Sequence, residues 1–303
     1  MPTLQRLIAE PDFSVETVIT QPDRPRGRGQ EVSSSPVKDA ALDAGIHVFQ
    51  PEKIKSDSAY DFFKRLAPDA VVIIAYGQIV PARLLDIPRL GWINLHASLL
   101  PKYRGAAPIN WAIVNGETRT GLTTMRIDPG MDTGPTLLSW ETEILPDETA
   151  PELTRRMAAA GPDLVVETLR KYDRGEITPA AQDHAQATLA PMLKRENGRI
   201  DWSQPATQIY NRIRGLDPWP GAFSTFRGHV CHIWGRPDSS KHAAMPGTIA
   251  ASGENLLVSC GGGTALRLEH VQLEGKKRIS ARDWANGARL QHAEHFDAGG
   301  LQT

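Results

Sequence analysis

Trp92-Ile93-Asn94-Leu95-His96, running on into Ala97-Ser98-Leu99-Leu100-Pro101-Lys102-Tyr103-Arg104-Gly105, is the stretch on which the reading of this chain turns. Strand side chains alternate between faces, so Asn94 and His96 point one way and Ile93 and Leu95 the other. A carboxamide donor and a titratable ring therefore share one face. At the C-terminal end of a strand in an open α/β sheet, that face opens into the crevice where ligands bind. The pair also fits a plainer role, with His96 bonded to backbone and Asn94 capping a turn. The loop that follows is stiffened by Pro101 and released by Gly105, as suits a preorganised binding loop.

Outward from this stretch, short β-branched runs alternate with segments of helical period, the pattern of strand–helix–strand units in a mostly parallel sheet. Strands are expected near residues 15–20, 46–49, 70–75, 92–95, 121–127 and 136–144. Helices are expected over 3–9, 56–66 and 107–114, and a longer amphipathic one over 147–171, with Pro151 in its first turn and Gly175 past its end. Periodicity lapses over 176–189, a stretch rich in Ala, Pro and Gln that reads as a linker. Beyond it Ser203 is a candidate N-cap for a helix through Ile209 and Ile213. Short strands then dominate, near 223–226, 229–234, 247–250, 256–259 and 265–272, suggesting a small β-barrel. The expected division is residues 1–174, a linker at 175–189, and a second domain at 190–303.

Composition narrows the class. The chain has 303 residues, 40% hydrophobic and 23% charged, within the globular range and enough for about two domains. Two cysteines, Cys231 and Cys260, are too few for a disulfide framework and suit a reducing compartment, so a cytoplasmic location is expected. The longest apolar run, Ala70 to Ala75, is far short of the ~20 residues of a membrane helix, and no secretory signal pattern opens the chain. Formal net charge is −1, yet residues 188–303 carry 14 Lys and Arg against 10 Asp and Glu, and the rest 20 against 25. That asymmetry hints at a basic half that meets an anion, although a mildly basic solvated surface reads the same way.

No P-loop, H-E-x-x-H, C-x-x-C or G-x-G-x-x-G occurs, so nucleotide cradling and zinc catalysis lack their usual signatures, and no metal is expected. A second polar turn, Asp128-Pro129-Gly130-Met131-Asp132-Thr133-Gly134, lies between two expected strands, and its glycines permit sharp bends. Alone, Asp132 reads as a turn residue. Beside His96, it would complete a set of Asn, His and Asp suited to acyl transfer, with donors for an oxyanion and a base tuned by a carboxylate. Near the N-terminus Arg24, Arg26 and Arg28 crowd a Gly/Pro-framed loop that suits phosphate contact, although three arginines on such a loop more often mark a plain solvated face.

Taken together, Asn94-x-His96-x-Ser98-Leu99-Leu100-Pro101-x-Tyr103-Arg104-Gly105-Ala106-Ala107-Pro108 and Asp128-x-Gly130-Met131-Asp132-Thr133-Gly134 resemble the folate-dependent formyltransferases. Thr20-Gln21-Pro22-Asp23-Arg24-Pro25, Ser35-Pro36-Val37-Lys38, Ile200-Asp201-Trp202-Ser203 and Pro218-Trp219-Pro220-Gly221-Ala222 extend the resemblance over roughly residues 1–277. It implies an α/β protein: a Rossmann-like formyltransferase domain followed by a small OB-like barrel. It implies transfer of the formyl group of 10-formyltetrahydrofolate to the α-amine of methionyl initiator tRNA, by a monomer with no membrane attachment. Asn94 and His96 would stabilise the oxyanion, and Asp132 would orient His96 and manage protons. Ser98, Leu99, Leu100 and Pro101 would line the folate pocket, with backbone near Tyr76 and Gly77 reading the pterin. Arg24, Arg26, Arg28 and Lys38 would meet the tRNA acceptor end.

One departure stands out. Members of that family open with a strand and a Gly-Thr-Pro-x-Phe turn, whereas Met1 here leads directly into the first helix. A start assigned too far downstream, or a truncated chain, is the expectation. Three other functions compete. A sugar-nucleotide amine formyltransferase would use the same three residues, but that type tends to show Gly-Arg-Ala-Pro where this chain has Ala106-Ala107-Pro108. A hydrolase of the same folate would normally lack the C-terminal half. A non-catalytic RNA-binding protein would leave Asn94, His96 and Asp132 without a purpose.

Overall fold

The computed structural model describes every residue except 27–30, 241–242, 253–254, 292–293 and 298–303. In chain order the first elements are α1 (Pro2–Ala9), β1 (Thr17–Ile19), β2 (Arg24–Arg26), β3 (Glu31–Ser33), α2 (Pro36–Asp43), β4 (His47–Phe49), α3 (Asp57–Leu66) and β5 (Val71–Ile73). There follow α4 (Ala82–Leu85), β6 (Trp92–His96), α5 (Pro108–Val114), β7 (Arg119–Arg126), β8 (Thr136–Glu143) and α6 (Ala150–Asp173). The rest comprises α7 (Ala206–Leu216), β9 (Phe223–Phe226), β10 (His229–Asp238), β11 (Ile249–Ser252), β12 (Asn255–Cys260), β13 (Thr264–Leu273), β14 (Ile279–Ser280) and α8 (Ala281–Ala288). They group into two compact units that are not contiguous in sequence. The first holds residues 1–105, 121–142 and 155–189, and the second holds 106–120, 143–154 and 190–303.

In the first unit β1 pairs with β4 and β5 with β6, both parallel, whereas β7 runs antiparallel to β6 and β8 lies beside β7. The strands β1 and β4 form a two-stranded parallel sheet, and the separate four-stranded sheet β5-β6-β7-β8 is parallel between β5 and β6 and antiparallel from β6 onward. The link from β7 to β8 is too short for a crossover, so β8 returns beside its predecessor. Strand β5 is shorter than the expected 70–75 because Ala75 and Gly77 take positive φ, +50° and +80°, and turn the chain away. Its residues are half-buried, and Ile74 is 44% exposed. Helix α3 begins where expected: the Ser56 hydroxyl accepts from Ala59 N at 3.2 Å. Its Phe63 is fully buried against Trp92 of β6, with ring centroids 5.0 Å apart, and Trp92 Nε1 donates to Leu84 O at 2.8 Å. These contacts fix the strand that carries the polar pair.

On the other side of β6, Ile93 packs fully buried against Val165 and Leu169 of α6. Burying each such side chain is worth roughly 1.5–3 kcal/mol. The apolar positions of α6 recur as Leu153, Met157, Val165 and Leu169, a stripe at helical spacing in which Gly161 fills the missing place. A Cβ on Gly161 would come within 2.7 Å of Leu95 Cδ2, so glycine lets the helix approach the strand. The helix starts at Ala150 rather than the expected 147, and it tolerates Pro162 in its interior.

The second unit is an antiparallel sheet in the order β11-β12-β13-β10-β9, with β14 on β13, and its core holds Trp202, Ile209, Ile213, Phe226, Val258, Trp284 and Phe296. Helix α7 packs on α5, and a Cβ at Gly215 would come within 2.8 Å of Val114. Ser203 does not cap α7. Its hydroxyl donates to Asp201 Oδ1 at 2.6 Å, and the N-cap is Pro205, with Ala206 N donating instead to Thr264 Oγ1 at 2.9 Å. The stretch expected to be a linker, 175–189, groups with the first unit: Ala180 bridges Thr136 and Leu189 bridges Arg104.

Candidate active site

Strand β6 delivers Asn94 half-buried and His96 only 5% exposed. The plainer reading of His96 is half right, since its Nε2 lies 2.9 Å from Tyr103 O. A carbonyl can only accept, so Nε2 carries the proton and Nδ1 is left as the nitrogen that can gain or lose one. Nδ1 faces the Asp132 carboxylate, 3.6 Å from its Oδ2 and outside hydrogen-bonding distance. Asn94 Nδ2 is 3.5 Å from Asp132 Oδ1, at the outer limit of a hydrogen bond, so its donors stay available. The structure thus brings Asn94, His96 and Asp132 together from β6 and from the turn before β8.

Asp132 is held tightly. Gly105 N donates to its Oδ2 at 2.9 Å, and its backbone lies in the left-handed region at φ +52°. The turn around it is braced by Asp128, whose Oδ1 accepts from Gly130 N at 3.0 Å and from Thr133 Oγ1 at 2.7 Å. A Cβ on Gly134 would sit 1.8 Å from Arg126 O, so the turn closes only over glycine.

The loop after β6 is equally preorganised. Ser98, fully buried, donates to Lys102 O at 2.6 Å, so its hydroxyl staples the loop and is not turned outward. Leu100 N donates to Thr123 Oγ1 at 3.2 Å, the Leu100-Pro101 peptide is cis, and Leu99 Cδ2 lies against Gly121. In the loop after β5, at the same strand-end edge of the sheet because β5 and β6 are parallel, Gln21 Nε2 donates to Tyr76 O at 3.0 Å. The Tyr76 hydroxyl is buried with no hydrogen-bond partner among the described residues, and burial raises its pKa. Gly77 is exposed.

At the N-terminal arginines the chain forms an antiparallel ribbon, β2 with β3, pairing Arg24 with Ser33 and Arg26 with Glu31. Pro25 inside the first strand hid it from sequence reading. Arg24 is exposed, Lys38 Nζ pairs with the Asp23 carboxylate, and Arg28 lies outside the described residues. Among the described residues no helix is long and apolar enough to cross a membrane, and no cluster of three His, Cys, Asp or Glu could hold a metal.

Sequence reasoning missed Gln182 and Thr188. Gln182 Nε2 donates to Asp132 O at 2.9 Å and Gly134 O at 2.7 Å, while Thr188 Oγ1 accepts from Tyr103 N at 2.8 Å. Both sit in an aperiodic stretch, which gave no signal that Gln182 is buried or that the exposed Thr188 braces the Tyr103 backbone.

A carboxamide donor, an imidazole and a carboxylate are thus gathered at the C-terminal end of β6, an arrangement suited to group transfer. Residues 5–169 match the formyl transferase family model and residues 192–289 match the model of the formyl transferase C-terminal domain; the chain belongs to this family. Among its relatives, the methionyl-tRNA formyltransferase of Solibacter usitatus is 54% identical over 99% of this chain and 96% of its own length. The sugar 3N-formyl transferase WlaRD shares the fold, with a TM-score of 0.66 at 17% identity over 91% of this chain and 94% of that one. HypX from Aquifex aeolicus, solved with tetrahydrofolic acid, aligns with a TM-score of 0.58 at 18% identity over 84% of this chain, which spans 45% of its length.

Proposed function

We propose that this chain transfers the formyl group of 10-formyltetrahydrofolate to the α-amine of methionyl initiator tRNA. The observation that carries this reading is the 54% identity, over nearly the whole of both chains, to a protein bearing the methionyl-tRNA formyltransferase name. The likenesses to sugar formyltransferases, at 17–18% identity, speak to fold alone.

The folate supplies an activated formyl carbon on N10. The residues present fit such a group: the buried Tyr76 hydroxyl still needs a partner, and the carbonyls and amides of the 75–79 turn lie at the same strand-end edge as Asn94 and His96. Leu99, Leu100 and Pro101 offer apolar walls beside it. Asn94 donates Nδ2–H toward charge developing on the carbonyl oxygen, and His96 stands on the same strand face with Nδ1 turned toward Asp132. Asp132 keeps His96 in register, and the two move the proton that leaves the amine.

For the acceptor, Arg24, Arg26 and Arg28 supply cations for the acceptor-stem phosphates, Lys38 being already paired with the Asp23 carboxylate, and the +4 charge of residues 188–303 supports a second contact. Two buried free cysteines suit a cytoplasmic setting. The test is incubation with 10-formyltetrahydrofolate and charged initiator tRNA. The expected product is N-formylmethionyl-tRNA. Formylation of a sugar-nucleotide amine, with none of the tRNA, would assign the chain to the other branch of its family.

A further inference from the structure

We propose that Gln182 is a positioning residue for Asp132, holding it through a closed ring of hydrogen bonds that runs by way of Arg104; the inference rests on the formyl-transfer reading and adds a residue to it. Starting from the Asp132 carboxylate, the ring passes to Gly105 N at 2.9 Å and along the backbone to Arg104. The Arg104 side chain, 6% exposed, donates to Gln182 Oε1 from Nε at 3.1 Å and from its terminal nitrogen at 2.6 Å. Gln182 Nε2 then donates to Asp132 O and Gly134 O, which closes the ring.

Only a carboxamide does this. The site needs one acceptor facing a guanidinium and two hydrogens facing two carbonyls, and among side chains of this length only glutamine offers both. What the ring holds is costly to hold: a non-glycine residue in the left-handed region is disfavoured because its Cβ crowds the following carbonyl oxygen. Asp132 is one such residue, and Tyr103, whose carbonyl fixes His96, is another at φ +59°. Both are braced by the same aperiodic stretch, Asp132 by Gln182 and Tyr103 by Thr188, whose Oγ1 accepts from Tyr103 N while its carbonyl accepts from Arg104 N at 2.9 Å. A segment that reads as a linker thus sets the spacing of the carboxylate and the imidazole.

Two substitutions separate positioning from bulk. Gln182→Met keeps the volume and loses both functions. Gln182→Glu keeps the acceptor and strengthens the attraction to Arg104, but it has no hydrogen to give the carbonyls of Asp132 and Gly134. Both variants are compared with wild type for formyl transfer and for amide hydrogen exchange at Gly105, the amide bound by the Asp132 carboxylate. Misplacement of a catalytic group by about 1 Å can cost 10²-fold, so kcat is expected to fall roughly 10- to 100-fold in both variants, with KM for either substrate within about twofold. Gly105 exchange is expected to quicken at least about tenfold while Val258 in β12 is unchanged, which separates local release from general loosening. Unchanged Gly105 exchange, or unchanged kcat, in Gln182→Glu overturns the proposal, even where Gln182→Met fails to fold. If wild type transfers no formyl group, the functional reading fails, and the exchange measurement still decides whether Gln182 holds Asp132.

Discussion

At the residue scale, chemistry divides between groups that can change state and groups that cannot. Asn94 is a neutral donor whose Nδ2 is scarcely engaged, so Asn94→Ala removes an oxyanion contact without orphaning a buried partner. Loss of one such donor costs on the order of 10²–10³ in kcat, and steady-state kinetics with unchanged folate affinity is the expected result. Arg24, exposed on its ribbon, has a different task. Arg24→Ala is expected to weaken tRNA binding and reduce the slope of log affinity against log salt by about one, leaving folate binding as it was. A titration across salt concentrations checks both. The alternation of Asn94 and His96 against Ile93 and Leu95 was legible because strand geometry alone dictates it, and β6 obeys it with Ile93 in the core. Gln182 was not legible, because its burial depends on packing between segments about fifty positions apart in sequence, which no local period records.

At the scale of elements, turns and lead-ins decide what the strands can present. The Asp128–Gly134 turn sets Asp132, and its closure requires Gly134 against Arg126 O. Gly134→Ala forces a backbone shift, and overpacking of this kind costs roughly 1–3 kcal/mol, readable as a lower denaturation midpoint together with lost transfer activity. The lead-in to α7 shows how a local motif can be misread. Ser203 precedes an amphipathic run and looks like an N-cap, yet tertiary contact with Thr264 satisfies the helix start and frees the serine to bond Asp201. That serine, with Gln204, holds the Asp201 carboxyl below its ordinary value of 3.8. A depressed carboxyl stabilises the fold above that ordinary value, and the contribution is lost as pH falls through the lower folded value. Ser203→Ala is therefore expected to move acid unfolding to higher pH, as followed by circular dichroism. Equal acid midpoints for the two proteins would refute this role.

At the scale of the whole molecule, the sequence order and the compact units do not coincide. The alternation of strands and helices marked the first half as α/β and the short strands marked the second as β-rich, because each pattern is local. The assignment of residues 106–120 and 143–154 to the second unit was invisible, since α5 joins α7 through close approach at Gly215 and no composition shift announces it. Cys231 and Cys260 lie in the core of that unit, and burial pushes both thiols up to about 12. Neither is expected to react with a thiol reagent in the native protein, whereas both should react once the unit unfolds, so labelling against denaturant reports its stability separately.

In the proposed mechanism Asn94, His96 and Asp132 form one working group in which the Asp132 charge is indispensable. Single-turnover formyl transfer at saturating folate and charged tRNA, by wild type and by Asp132→Asn, tests it most directly. Asparagine tolerates the left-handed backbone and keeps an acceptor for Gly105 N, so the fold and folate binding are expected to persist. The expected rate is lower by about 10²–10⁴ in the variant. Equal rates, with the variant folded and binding folate as tightly as wild type, would contradict it.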